Sequence, residues 1–210
     1  MMKPADRWTA GLVLPATLLT RRWHGSLDAI TDSERRTLRP IGSTVHEVVA
    51  KTGDLLAGLL PLPSVRIFQG VRPAAANVPR IPHAVSAGRR LVLIESVAWP
   101  PGRYTASATT GQIYCDGVYI GQSVVPLVAE VGHWREILPA DHEVSGFVVV
   151  HPTAQGDLAL PAAIIEDLSW THADQAIRAI QAHLRSGQTV SIRAVAALIA
   201  ATRTAAEDHP

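Results

Sequence analysis

The hydrophobic positions change period along the chain, and this predicts alternating helices and strands. Between residues 43 and 60 the apolar residues recur near the 3.6-residue period of a helix. Ser43 or Thr44 is suited to be its N-cap, and Pro61 follows its last turn. A second helical pattern covers residues 122–138. We therefore predict a helix over each of these ranges.

Continuous apolar runs around these helices predict buried strands. Pro82 restricts one of them to a sheet edge or a strand start. Asp116-Gly117 indicates a turn between two short strands within residues 113–120. The runs are Val65–Val71, Ile81–Ser86, Leu91–Ile94 and Val144–Val150.

The C-terminal region predicts two more helices, one from Thr171 or His172 to Leu184 and one over residues 191–201. Strands that alternate with helices are typical of an α/β fold. We expect an irregular N-terminal arm at 1–40, an α/β core at 41–187, and a C-terminal helix and tail at 188–210.

Composition fits a globular chain of 210 residues, with 47% hydrophobic and 18% charged residues. A net charge of +1 does not indicate a nucleic-acid-binding protein by itself. Cys115 is the only cysteine, so no intramolecular disulfide forms, which is typical of a reducing compartment. The apolar runs are too short to span a membrane. We expect a cytoplasmic protein without membrane contact.

Lysine is scarce: of 19 basic residues only Lys3 and Lys51 are lysines. A chain rich in alanine and arginine suggests a GC-rich genome, such as those of actinobacteria.

Residues 91–99 hold the most informative motif. Glu95 follows a buried apolar run, and metal-dependent nucleases place a carboxylate at such a position. Phosphodiester hydrolysis with Mg²⁺ needs two or three converging carboxylates and a positive charge near the attacking water. On a strand, Glu-x-Lys supplies both to one face, because residues two apart point the same way.

With this motif, residues 42–151 resemble the NERD (nuclease-related) domain. The order of elements agrees, and Glu95 and Trp99 fall on the family's Glu-x-Lys-x-Trp strand. The other matching positions are Glu47 for the helix glutamate, 80–85 for an Asp-His pair, 125–127 for a helix start and 147–151 for a later strand. The resemblance implies a restriction-endonuclease-like fold, in which helices flank a mixed central sheet, here with an N-terminal arm and extra C-terminal helices.

Several departures from the family pattern predict little or no nuclease activity. The metal-binding aspartate falls on Pro82, the catalytic lysine on Val97, and the helix glutamine on Ala129, although Gln122 lies earlier. Loss of a metal ligand and of a stabilising positive charge each lowers the rate by orders of magnitude. Lys51 is the only credible substitute for the lysine, and it shares a helix face with Glu47.

Candidate residues follow from these positions, each with a structural alternative. Glu95 is either a remnant of the site or a strand-end carboxylate that is capped by backbone or paired with an arginine. Glu47 and Lys51 are either catalytic or an exposed ion pair. Asp116 is either a relocated metal ligand beside Glu95 or a turn residue. The candidate nucleic-acid contacts Arg80, Arg89, Arg90 and Arg103 alternatively form a solvated hairpin edge. His83 is either a metal or phosphate contact or a turn histidine. A further set matches no metal-ligand spacing: His133, Asp141, His142 and His151.

We therefore expect a catalytically degenerate nuclease-related domain that binds DNA, RNA or a partner protein, the last through the N-terminal arm. One alternative is a rewired nuclease that uses Mg²⁺ with Glu95, Glu47 and Asp116. The other is a structural or interaction protein without nucleic-acid contact.

Overall fold

The computed structural model describes residues 16–28, 30, 36–72, 79–162, 165, 167–184 and 189–202. Much of the predicted N-terminal arm, including Lys3, and most of the segment between Val71 and Ile81 lie outside the described residues.

Helices and strands alternate through most of the described chain. The helices are α1 (Ala16–Thr20), α2 (Val45–Leu56), α3 (Val125–Ile137), α4 (Ala176–Leu184) and α5 (Ile192–Thr202), with a 3₁₀ turn at Ala57–Leu59. The strands are β1 (Trp23–Gly25), β2 (Arg66–Val71), β3 (Ile81–Ala87), β4 (Arg90–Trp99), β5 (Gly102–Ala106), β6 (Gln112–Cys115), β7 (Val118–Ser123), β8 (Glu143–Pro152), β9 (Leu158–Ala159) and β10 (Leu168–His172).

A six-stranded mixed sheet in the order β1-β2-β3-β4-β8-β10 forms the centre of the fold. β3 runs antiparallel to both of its neighbours, and the other adjacent pairs are parallel. A smaller sheet has the order β7-β6-β5-β9. The predicted α/β class with a mixed sheet flanked by helices is confirmed.

Alternate residues of β4 face two separate hydrophobic layers. Leu93 and Val97 pack in the layer that contains α3 and α5, whereas Val92 and Ile94 pack in the layer of α4 and the end of α2. This alternation follows from the two-residue period of a strand. Because β4 is buried on both faces, its apolar residues do not alternate with polar ones. Only Glu95 and Ser96 are polar among its buried positions.

The N-cap signal of α2 is confirmed and is a complete capping box. Glu47 N–H donates to the Thr44 hydroxyl at 3.2 Å, and Thr44 N–H donates to the Glu47 carboxylate at 3.0 Å. Both bonds satisfy N–H groups that a helix start leaves without partners. The helix ends at Leu56, before the predicted limit of residue 60, and passes into the 3₁₀ turn.

Three other predicted boundaries are corrected. Residues 168–172 form β10, a strand beside β8, and the helix predicted from Thr171 starts at Ala176. The aromatic and β-branched side chains of Trp170 and Thr171 suit a strand. Gln122 lies in β7, and α3 begins at Val125. Pro82 is the second residue of a central strand, so only the strand-start alternative for it holds.

Segments from both ends of the chain pack on the central sheet. Trp23–Gly25 pairs with Ile67–Gln69 of β2 as a parallel edge strand. The buried side chains of α5 join the hydrophobic layer that also contains Phe68 of β2. Among the described residues, no helix is both long enough and apolar enough to cross a bilayer.

Candidate functional site

Glu95 lies in the middle of the sheet, on a strand with partners on both sides. Its position in β4 is in phase with Leu93 and Val97, so it faces the layer that contains α3. The residue is only 7% exposed. Burial of a carboxylate is costly unless a compensating charge and hydrogen bonds accompany it.

Arg36 supplies that charge from the segment that precedes α2. Its Nη1 lies 3.3 Å from Oε1 and 3.2 Å from Oε2 of Glu95, and its Nη2 donates to the backbone oxygen of Arg80 at 2.7 Å. The two side chains are 3% and 9% exposed. A guanidinium therefore lies against both oxygens of the carboxylate, where a catalytic metal ion would have to bind.

The cleft beside this pair is small. The centre of a water molecule can occupy only about 10 Å³ of it, which corresponds to about one water site. The lining residues are Arg36, Thr37, Leu38, Pro79, Ile81, Glu95, Pro126 and Leu127.

On β3 and β4, the described positions next to Glu95 carry no metal ligands. Because His83 pairs with Ile94, Pro82 lies across the β3–β4 ladder from Glu95. Val97 is fully buried in the apolar layer. Among the described residues, no group of three or more His, Cys, Asp or Glu side chains is placed to hold a metal ion.

Glu47 and Lys51 lie on α2, away from the Arg36–Glu95 pair. Leu56 of this helix packs in the layer on the other face of the sheet. Glu47 is exposed, and the hydrogen bond from Thr44 N–H holds its pKa below the usual value. Lys51 is also exposed. The structure thus does not bring Glu47 and Lys51 to Glu95.

Asp116 lies in the turn between β6 and β7, with a positive φ of 49°. Its Oδ1 accepts the backbone N–H of Arg103 at 3.1 Å, which ties the turn to β5. Asp116 is exposed, whereas Glu95 is buried in the central sheet. Its contacts are those of a turn residue.

The five candidate nucleic-acid contacts do not form one surface. Arg80 precedes β3 and donates to the Gly70 oxygen at 2.8 Å, whereas Arg89 and Arg90 lie at the other end of β3, roughly 25 Å along the strand. Arg89 pairs with an aspartate at 3.2 Å, and Arg90 with a glutamate at 2.9 Å. Arg103 is exposed on the smaller sheet.

His83 is inaccessible to a nucleic acid. It is fully buried in the central sheet, on the face opposite Glu95, and a methyl group at Gly53 of α2 would lie 3.2 Å from its Nε2. Within the part of the chain that the structure describes, neither ring nitrogen has a hydrogen-bond partner. Burial lowers the pKa of the imidazole to about 3.

Gln122 lies in β7 and not in α3, and its buried side chain bonds to two other segments. Its Oε1 accepts from the Trp99 indole at 3.3 Å, and its Nε2 donates to the Arg39 oxygen at 3.0 Å. Trp99 in turn stacks on Tyr104, with ring centroids 4.2 Å apart. These contacts join the segment after Arg36 to β4 and the smaller sheet.

Arg36 is the site residue that the sequence does not single out. It stands in a polar stretch without periodicity, and its partner Glu95 is 59 residues away. The only signal was the buried carboxylate itself, which requires a cation somewhere in the chain.

Comparisons with protein-family models, curated protein sequences and solved structures found no significant match to this chain.

Proposed function

We propose that this chain is a catalytically degenerate nuclease-related domain that acts by binding a partner protein and does not cleave phosphodiesters. The observation that carries the proposal is the Arg36 guanidinium on both oxygens of Glu95. A permanent cation from the protein satisfies the carboxylate, so Mg²⁺ gains little by binding there and must displace a buried ion pair to do so.

The order of elements supports the relation to nuclease-related domains. Helix α2 precedes the strands β2, β3 and β4, a short β region follows, and then α3 and β8. The resemblance stated from the sequence implies this succession. The carboxylate strand β4 is central, and β3 and β8 flank it.

The basic side chains argue against nucleic acid as the main ligand. Phosphate contacts need several accessible cations on one surface. Arg89 and Arg90 are engaged with carboxylates at one end of β3, and Arg80 is engaged at the other. His83 is buried. The remaining candidate, Arg103, is exposed on the smaller sheet.

The outer strand of the smaller sheet favours an extended protein segment as the ligand. Within the described residues, β7 pairs as a strand on one side only, with β6, and the N–H of Ser123 at its end donates to the Thr37 oxygen at 3.0 Å. Val118 is 68% exposed and Tyr119 is 48% exposed. The strand carries no charged residue, although charges commonly protect open edges against pairing. Such an edge suits a peptide that adds a strand.

Metal binding and nuclease assays test the loss of catalysis. We expect no heat of Mg²⁺ or Mn²⁺ binding in calorimetry, and no cleavage of plasmid or single-stranded DNA. The matched variant is E95Q, which keeps the shape of the side chain. Metal-dependent cleavage by the wild type that disappears in E95Q would show that the site is an active nuclease.

Crosslinking and anisotropy measurements test the ligand class. A photoreactive residue at position 119 should crosslink to a protein in cells that produce this chain, and V118K should abolish the product. The control L62K changes another exposed apolar residue, 37% exposed, and should leave the product unchanged. Strong binding of labelled DNA that weakens steeply between 50 and 200 mM salt would instead favour nucleic acid.

A further inference from the structure

A chain of three polar side chains links the start of β8 to the start of α5. Nδ1 of His142 lies 2.9 Å from Oδ1 of Asp141, and Nε2 of His142 lies 2.8 Å from the Ser191 hydroxyl. Asp141 and His142 are adjacent in sequence, but Ser191 is 49 residues away, so the fold creates the arrangement.

The donors and acceptors of this chain define its direction. A carboxylate only accepts hydrogen bonds, so the proton on Nδ1 of His142 points to Asp141. When the imidazole is neutral, Nε2 accepts and the Ser191 O–H donates to it. The Ser191 oxygen also accepts the Ala194 N–H at 3.3 Å, as expected of a helix N-cap. A serine, a neutral imidazole and a carboxylate in this order can activate the hydroxyl as a nucleophile.

The surrounding charges favour Ser191 as a nucleophile. The hydrogen bond from His142, followed by the Arg89 guanidinium, keeps the pKa of Asp141 below its usual value, so the carboxylate is charged near neutral pH. α5 has 11 residues, and its positive end lies at Ser191. The N–H groups of Ile192 and Arg193 in its first turn have no acceptor within the helix.

The solvent exposure of Asp141, His142 and Ser191 differs. The His142 side chain is 6% exposed, so the rest of the protein fixes its orientation, whereas Asp141 is 49% exposed. Ser191 is half-buried at the surface, and Ile192 beside it is 63% exposed. A small acyl group can therefore reach the hydroxyl and contact an apolar side chain next to it.

The geometry points to Asp141, His142 and Ser191 as an acyl-transfer site that hydrolyses small esters. The Ser191 oxygen bonds to the acyl carbon while His142 Nε2 takes the hydroxyl proton. The bond to the alcohol oxygen breaks, and the imidazolium returns the proton to the leaving alcohol. Water then attacks the acyl-serine with His142 as base, releases the carboxylic acid and restores the Ser191 hydroxyl.

This site is independent of the Arg36–Glu95 pair and of the proposed function. Glu143, the first residue of β8, pairs with Arg90 at the start of β4. Glu95 lies five residues further along the strand, about 17 Å away. Loss of one site therefore leaves the other in place.

A fluorophosphonate probe on the full-length protein tests the inference, with peptide mass spectrometry to locate the adduct. We expect labelling at Ser191, together with hydrolysis of p-nitrophenyl acetate. S191D retains an N-cap for α5 but has no nucleophile, and should lose both. D141N leaves the cap untouched and should slow labelling about 100-fold.

The control is S145A, because Ser145 also contacts an imidazole: its hydroxyl lies 2.8 Å from His183 Nε2, but the residue is buried. S145A should label like the wild type. Circular dichroism should show that all three variants are folded. Absence of an adduct on Ser191, or ester hydrolysis by S191D at the wild-type rate, would overturn the inference.

Discussion

The guanidinium of Arg36 and the carboxylate of Glu95 meet inside the protein, with Nη1 3.2 Å from Oε2. The pair joins the segment before α2 to the central strand β4. From the sequence, Glu95 was either a remnant of a catalytic site or a strand-end carboxylate capped by backbone or paired with an arginine. In the structure, its carboxylate is paired with Arg36.

Removal of only one member of this pair should strongly destabilise the protein. R36L leaves the buried Glu95 without its guanidinium, and we expect the free energy of unfolding to fall by about 3–5 kcal/mol. The double variant R36L/E95L removes both charges, and most of the stability should return. Urea unfolding measures each value.

The control for this comparison is R89A, which breaks an ion pair whose side chains are 70% and 49% exposed. Exposed pairs contribute about 0–1 kcal/mol. If R36L lost no more stability than R89A, the buried pair would not hold the N-terminal segment to the sheet.

Local patterns predicted the elements around Glu95 well, for physical reasons. The apolar run at 91–94 is continuous because β4 is covered on both faces. The Thr44–Glu47 capping box lies within four consecutive residues. Both signals depend on neighbours in sequence. They therefore gave the α/β class and the position of the carboxylate strand.

Long-range contacts account for what the sequence did not predict. No period marks Arg36, because its partner lies in a strand that is distant along the chain. Thr171 and His172 resembled the start of a helix because Ile177, Ile180 and Leu184 continue a helical period after them. Pairing with β8 decides their conformation, and sequence periodicity does not report that pairing.

Gly53 should be required in α2 because His83 packs against it. A Cβ at this position would lie 3.2 Å from His83 Nε2 and 3.4 Å from Gln69 Nε2. Alanine normally stabilises a helix by about 1 kcal/mol relative to glycine. The displaced imidazole should cost about 1–3 kcal/mol and outweigh this gain.

The matched control is G132A in α3, where a Cβ meets nothing within 4 Å. Urea denaturation should show G132A to be more stable than the wild type and G53A to be less stable. Equal stabilisation by both substitutions would mean that α2 lies further from His83.

Gln122 should stabilise the contact between the N-terminal segment and β4. In Q122A the buried Trp99 indole N–H loses its acceptor, and the Arg39 carbonyl loses a donor. A buried polar group without a partner costs about 1–3 kcal/mol. Q112A is the control, because Gln112 accepts only part-buried or exposed hydrogen bonds, from Tyr114 and Thr110. If chemical denaturation shows the same loss of unfolding free energy for Q122A and Q112A, the hydrogen bond to Trp99 does not add to the stability of the protein.

His83 should make the protein less stable as the pH falls. Its pKa is about 3 in the folded state, and the usual value of 6.5 applies once the chain unfolds. Between pH 3 and pH 6.5, the unfolded chain therefore binds a proton at His83 that the folded protein does not bind. The contribution to the free energy of unfolding is fully present above pH 6.5 and falls, by up to about 1.4 kcal/mol per pH unit, as the pH drops towards 3.

The variant H83L removes this titration and also removes two buried nitrogens without partners. We expect H83L to be at least as stable as the wild type at pH 7, because no unsatisfied polar atom is then buried at this position. The advantage of H83L should widen as urea unfolding is repeated at pH 6, 5 and 4. H46Q, which changes an exposed histidine on α2, should follow the wild-type curve. Parallel pH curves for H83L and the wild type would show that the imidazole at position 83 is protonated as readily in the folded state as in the unfolded chain.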